Sequence, residues 1–183
     1  YINNDASHNN VIIGMNALQG GTGTILGNVA VGYNAMASVV NANQTGTVAI
    51  GASALTALTS GAGNTAVGYQ ALDAVTIGDD NVGVGKYALG GLDSSDNNDG
   101  NVAIGSSALY NTTDSIDSIA LGYSAGRYYT NTSTNLTGQV TDCIFIGKMA
   151  MASSNTPSNQ IVIGKEAVSQ GDNSVTLGNS SVT

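Results

Sequence analysis

Apolar residues alternate with small ones in short bursts along the whole chain. Val29 and Val31 flank Ala30, Val48 and Ile50 flank Ala49, Val102 and Ile104 flank Ala103, and Ile161 and Ile163 flank Val162. Spacing of i and i+2 marks a strand with one buried face. Each burst therefore predicts a short strand whose Val, Ile and Leu face inward. The residue between them is commonly Ala, as at Ala66 and Ala120. A small side chain gains nothing by facing water, so the second face is expected to meet a neighbouring chain.

The bursts belong to a longer recurring phrase: Asn, apolar, small, apolar, Gly, two variable residues, Ala, apolar. Clear copies are Asn28 to Met36, Asn64 to Leu72 and Asn101 to Leu109. Aligned on the central glycine there are ten, at Gly14, Gly32, Gly51, Gly68, Gly85, Gly105, Gly122, Gly147, Gly164 and Gly178, separated by 14 to 25 residues. That step is too short for two-helix repeats and lacks the phrase of leucine-rich repeats. It suits one coil of a parallel β-solenoid. The glycine is expected to turn the chain at the strand end, and the following Ala and Leu or Met to begin a return strand. Asn at the head (Asn10, Asn28, Asn64, Asn81, Asn101) suits a turn, can bond its own backbone, and can form ladders when coils stack. Ten stacked coils predict a rod about 48 Å tall.

The phrase Asn-x-Val-Ala-Ile-Gly followed by x-x-Ala, complete at Asn101 to Ala108, resembles the head repeat of trimeric autotransporter adhesins. The resemblance covers nearly the whole chain. It implies a left-handed parallel β-roll with three chains side by side, the partners being two further copies of the chain. Most steps of 17 to 20 residues exceed the usual adhesin step, which is matched between Gly164 and Gly178. Longer connectors look more like bacteriophage tail-fibre and tail-spike proteins. The closing stretch Asn173 to Thr183 resembles the segment before a self-cleaving intramolecular chaperone domain in such fibres. The resemblance thus implies residues 1–183 as a single repeat region, a piece of a longer extracellular tail fibre on a virion. The alternative is the head of a bacterial surface adhesin.

Composition narrows the chemistry. With 25 Gly, one Phe and no Trp, a wide aromatic core is excluded in favour of thin repeated layers. Four cations (Lys86, Arg127, Lys148, Lys165) stand against twelve acidic residues, for a net charge of -8. Nucleic acid needs clustered Lys and Arg, so it is not an expected partner. No run of about 20 apolar residues predicts membrane insertion. Cys143, the single cysteine, lies among Ile144, Phe145 and Ile146 and reads as a buried thiol.

Motifs for catalysis or cofactors are weak. Gly83-Val84-Gly85-Lys86-Tyr87-Ala88 matches a dinucleotide fingerprint in letters, but no helix signal follows and its glycines belong to the repeat. Asp93 to Gly100 is rich in oxygen ligands yet fails the EF-hand spacing, and reads as a solvated turn ahead of a calcium site. His8, the only histidine, has no triad around it. Asp73, Asp79, Asp80, Asp114, Asp117 and Asp142 could in number supply the paired carboxylates of a polysaccharide-cleaving spike, though no spacing singles out a pair. The expectation is a protein that is no enzyme, carries no cofactor or metal, and binds a host-surface glycan or protein. The candidate receptor site is the longest connector, where Arg127, Tyr128 and Tyr129 lie near Asn131 and Asn135. Insertions between coils project from a solenoid, and aromatics with amides suit sugars.

Overall fold

The computed structural model describes residues 9–20, 25–39, 44–91, 98–130 and 134–181. The described chain is all-β, with strands β1 (Val11–Ile13), β2 (Ile25–Leu26), β3 (Val29–Val31), β4 (Gln44–Thr45), β5 (Val48–Ile50), β6 (Thr65–Val67), β7 (Val82–Val84) and β8 (Val102–Ile104). There follow β9 (Ser115–Ile116), β10 (Ile119–Leu121), β11 (Tyr128–Tyr129), β12 (Thr134–Asn135), β13 (Val140–Thr141), β14 (Ile144–Ile146), β15 (Gln160–Ile163) and β16 (Ser174–Leu177). Ten of these strands form one sheet in the order β1-β3-β5-β6-β7-β8-β10-β14-β15-β16. Every neighbouring pair in it is parallel and in register, so Val29 meets Val48, Ala30 meets Ala49 and Val31 meets Ile50. The architecture is a parallel β-solenoid of about nine turns.

The glycine column explains the register. Gly68 has φ +138°, and a Cβ built on it would lie 2.6 Å from the Gly85 carbonyl oxygen in the next coil. A side chain is thus opposed twice, by the backbone conformation and by the coil above. A second left-handed corner lies one residue before the head position. Gly27, Gly63, Asp80, Gly100, Asp117, Asp142 and Asn159 all have φ between 49° and 70°. The turn predicted at Asn is made by its predecessor, and Gly, Asp and Asn are the residues that visit this region at least cost.

The head asparagines are released for a different task. Asn28, Asn64, Asn81 and Asn101 are fully buried. Oδ1 of Asn81 accepts from the Asn101 backbone N–H at 3.1 Å, and Oδ1 of Asn101 from the Ser118 N–H at 3.1 Å. Nδ2 of Asn64 donates to the Gly78 carbonyl at 2.7 Å. Each amide therefore bonds backbone in other coils, and the expected bond to its own local backbone forms at Asn101, whose Nδ2 also donates to the Asp99 carbonyl at 3.1 Å. A buried amide with both ends engaged avoids the desolvation cost of roughly 1–3 kcal/mol for an unpaired group.

Two further expectations are corrected. After the glycine most coils make consecutive turns with no return strand, as at Ala71 and Leu72, which sit in a turn run and are fully buried; among the described residues only Met151 and Val168, at the corresponding position of two later coils, pair in an isolated parallel bridge. The faces of the main strands are also inverted. Ala30, Ala49, Ala66, Ala103 and Ala120 have no exposed surface, while Val11, Ile50 and Ile104 are 45%, 39% and 44% exposed. From β3 to β10 the small residues face the coil interior and the branched ones face outward, whereas β14 and β15 turn Phe145 and Val162 inward.

Interior width is the reason. Gly83 occupies the inner column of β7, and a Cβ built there would lie 3.1 Å from Leu72 Cδ1 and 3.2 Å from the Ala88 carbonyl oxygen. The turn runs bring Leu72 to within a methyl group's reach of the sheet, and Leu55, Leu72, Leu89 and Leu109 are all fully buried in the coil. Only Ala or Gly fits opposite them.

Candidate functional site

The connector after the Gly122 coil folds into a hairpin. Tyr128–Tyr129 pairs antiparallel with Thr134–Asn135, the only antiparallel pairing among the described residues. It is pinned from below by Leu136, which is fully buried and whose N–H donates to the Arg127 carbonyl at 2.7 Å. Alternation along a two-residue strand then separates the tyrosines. Tyr129 packs against the hydrophobic core and bridges to Ala152. Tyr128 instead pairs with the Arg127 guanidinium, whose carbon lies 5.1 Å from its ring centre. Arg127 Nε donates to Asn135 Oδ1 at 3.4 Å.

Of the residues singled out in this connector, Arg127, Tyr128 and Asn135 are thus brought together. Tyr129 is diverted to the core, and Asn131 lies outside the described residues. The structure adds partners that spacing along the chain could not show. The same guanidinium lies 5.0 Å from the ring centre of Tyr110, one coil earlier. Tyr110 and Tyr87 have ring centres 5.5 Å apart, and Tyr87 and Tyr69 5.6 Å apart, the latter edge to face. Lys86 Nζ sits 4.8 Å from the Tyr87 ring and 5.8 Å from that of Tyr69. The outcome is a stripe of four tyrosines and two cations running across successive coils. Tyr69 and Lys86 each follow the central glycine of their coil, which is the one signal that could have placed them side by side.

The carboxylates take part in turns. Asp79 Oδ1 accepts from the Ala62 N–H at 2.7 Å, and Asp99 Oδ1 from the Asp79 N–H at 2.7 Å. Asp172 Oδ1 accepts from the Ser158 N–H and from Gln160 Nε2, and these bonds hold its carboxyl below the ordinary value. Asp73 is pushed up by burial, partly offset by a bond from Gln70. No group of three His, Cys, Asp or Glu able to hold a metal ion occurs among the described residues. Asp93 to Asn97 of the oxygen-rich stretch, and His8, lie outside them. Gly83 to Ala88 forms strand β7 and its turn, with no helix after it. No helix among the described residues is long and apolar enough to cross a membrane. Cys143 is fully buried, and its Sγ donates to the Thr141 carbonyl at 3.1 Å.

The second feature with functional content is the outward face of the sheet. Its two columns run Val11, Val29, Val48, Thr65, Val82, Val102, Ile119, Ile144, Ile161, Val175 and Ile13, Val31, Ile50, Val67, Val84, Ile104, Leu121, Ile146, Ile163, Leu177. Nineteen of these twenty are aliphatic, and the single exception is Thr65. At about 4.8 Å per strand the columns extend about 43 Å. No family model, curated protein or solved structure matches the chain.

Proposed function

We propose that the chain is a rigid segment of a homotrimeric fibre that attaches to a host surface, a bacteriophage tail fibre, and that it acts by binding without catalysis. The observation that carries this reading is the aliphatic outer face. A strip about 43 Å long and about 10 Å wide presents on the order of 400 Å² of apolar surface, at the size where patches on soluble proteins mark contact sites. The strip is in register and repeated at every coil, so a partner with the same repeat matches it along its length. A second and third copy of the chain supply that repeat.

The interchain contact is therefore reassigned from the alanines to the Val and Ile columns. The three-chain arrangement itself rests on the resemblance of the Asn-x-Val-Ala-Ile-Gly phrase to trimeric fibre repeats. The long connectors favour a viral fibre over an adhesin head. The engagement of Asp79, Asp99 and Asp172 in backbone bonds supports a binding role, since those carboxylates are already spent on turns.

Light scattering tests the reading. The wild-type chain is expected at three times the 18.2 kDa of one chain, and Ile50→Asp with Ile104→Asp at the mass of a folded monomer. A wild-type protein that is folded and monomeric at micromolar concentration would sink the proposal.

A further inference from the structure

None of the tyrosines and cations of the stripe belongs to the ten-stranded sheet, and their charge is out of keeping with the rest of the molecule. Against a net charge of -8, Lys86 and Arg127 are set within one continuous patch. Among the described residues the one ion pair is Lys165 with Glu166 at 3.8 Å, so neither stripe cation is neutralised by a described carboxylate. Both are held over aromatic rings instead. A ring orients a cation without cancelling its charge. Lys86 is exposed to an anion from solvent, while Arg127 is half-buried between Tyr110, Tyr128 and Asn135.

We infer that Tyr69, Lys86, Tyr87, Tyr110, Arg127 and Tyr128 form a binding track for a carboxylate-bearing polysaccharide lying along the rod axis. Three features specify this ligand. The two positive groups sit on different coils with the Tyr87 and Tyr110 rings between them, which suits a polymer bearing more than one acid better than a single small anion. The rings between them are amphipathic, offering apolar faces to sugar C–H groups and hydroxyls to sugar oxygens. Tyr69 is 49% exposed and Lys86 is exposed, so the track is open to solvent at its Tyr69 end. Elsewhere the acidic surface repels such a polymer, which confines it to the stripe.

The inference deepens the attachment reading and rests on it. Its test is titration of the assembled wild-type chain with polygalacturonate, using uncharged dextran as the control polymer. Binding of polygalacturonate that weakens as salt is raised, with none of dextran, is expected. Lys86→Gln with Arg127→Gln should weaken it by about tenfold or more. Tyr87→Ala should weaken it at any salt concentration.

Absence of polygalacturonate binding by the wild type, equal binding of dextran, or undiminished binding by the double variant each overturns the track. Light scattering on the same samples separates the two readings. Loss of the wild-type mass on Lys86→Gln with Arg127→Gln would make the stripe an interchain contact and overturn the ligand site. A monomeric wild type that still binds polygalacturonate would sink the trimeric fibre and leave the track standing.

Discussion

Coils headed by Asn64, Asn81 and Asn101 and the coil headed by Cys143 stack in the same parallel register, yet they fill their interiors by different means. In the first group an amide ladder runs through the coil edge, Ala or Gly lines the sheet, and Leu72, Leu89 and Leu109 fill the space opposite. In the second, Ser118 Oγ accepts from the Cys143 N–H at 3.1 Å in place of an amide, and Phe145 stands in the alanine column. Phe145 is fully buried. It fits because Gly126 occupies the position that holds Leu or Met in most other coils, and a Cβ on Gly126 would lie 2.8 Å from both the Phe145 ring and Leu109 Cδ2. A large residue on the sheet is matched by an absent one on the turn. The lesson is that backbone stacking sets the coil, while side chains need only conserve volume and bond the buried edge.

The largest effect is expected at Phe145. Phe145→Ala is expected to cost about 3–5 kcal/mol, because the missing ring leaves a cavity beside Gly126. Adding Gly126→Leu should recover part of that loss, read as the denaturant midpoint. Failure of the second change to help would mean that the two sites are not coupled. Positive φ at Gly126, +65°, is no obstacle, since Leu72 and Leu109 occupy the same corner at 54° and 47°.

The amide ladder comes next. Asn81→Ala removes acceptors for the Asn101 N–H and a donor for the Asn98 carbonyl, and should cost roughly 3 kcal/mol. Cys143→Ala should cost about 1 kcal/mol, because the thiol makes only weak sulfur bonds to backbone, such as that to the Thr141 carbonyl. Equal losses by thermal denaturation would show that the ladder contributes no more than a packed thiol does.

A gain is expected where the ladder is interrupted. Thr47 stands at the head position between Asn28 and Asn64, and its buried Oγ1 has no partner among the described residues. Thr47→Asn should restore the acceptor for the following coil and stabilise the rod by about 1 kcal/mol, measured as a rise in Tm.

The smallest effect appears only in alkali. Burial pushes the Cys143 thiol up to about 11 from an ordinary value of 9.0. Below pH 9 the thiol is neutral in both states and nothing changes. Between pH 9 and 11 the unfolded chain loses its proton first, so stability falls with rising pH. That decline should vanish in Cys143→Ala, as followed by urea denaturation at each pH.

The positions of the strands, the glycine column and the period of the coil were legible in the chain, because each rests on local chemistry repeated ten times. Gly68 needs a backbone that a side chain forbids, and Val-Ala-Ile needs a strand, whatever surrounds them. The site was legible only in part. Arg127 and Tyr128 drew notice as neighbours in sequence, while Tyr69, Lys86, Tyr87 and Tyr110 reach them only through coil stacking.

Which face of the strand lies inside was likewise left to the tertiary structure. Period-two alternation separates two faces and is silent on which one is covered, and large aliphatics beside small alanines suggested the wrong one. The width left between sheet and turn run decides it. At β7, with Leu72 and Ala88 a methyl group away from the inner column, only a small residue fits, and Val82 and Val84 are turned toward whatever lies beside the rod.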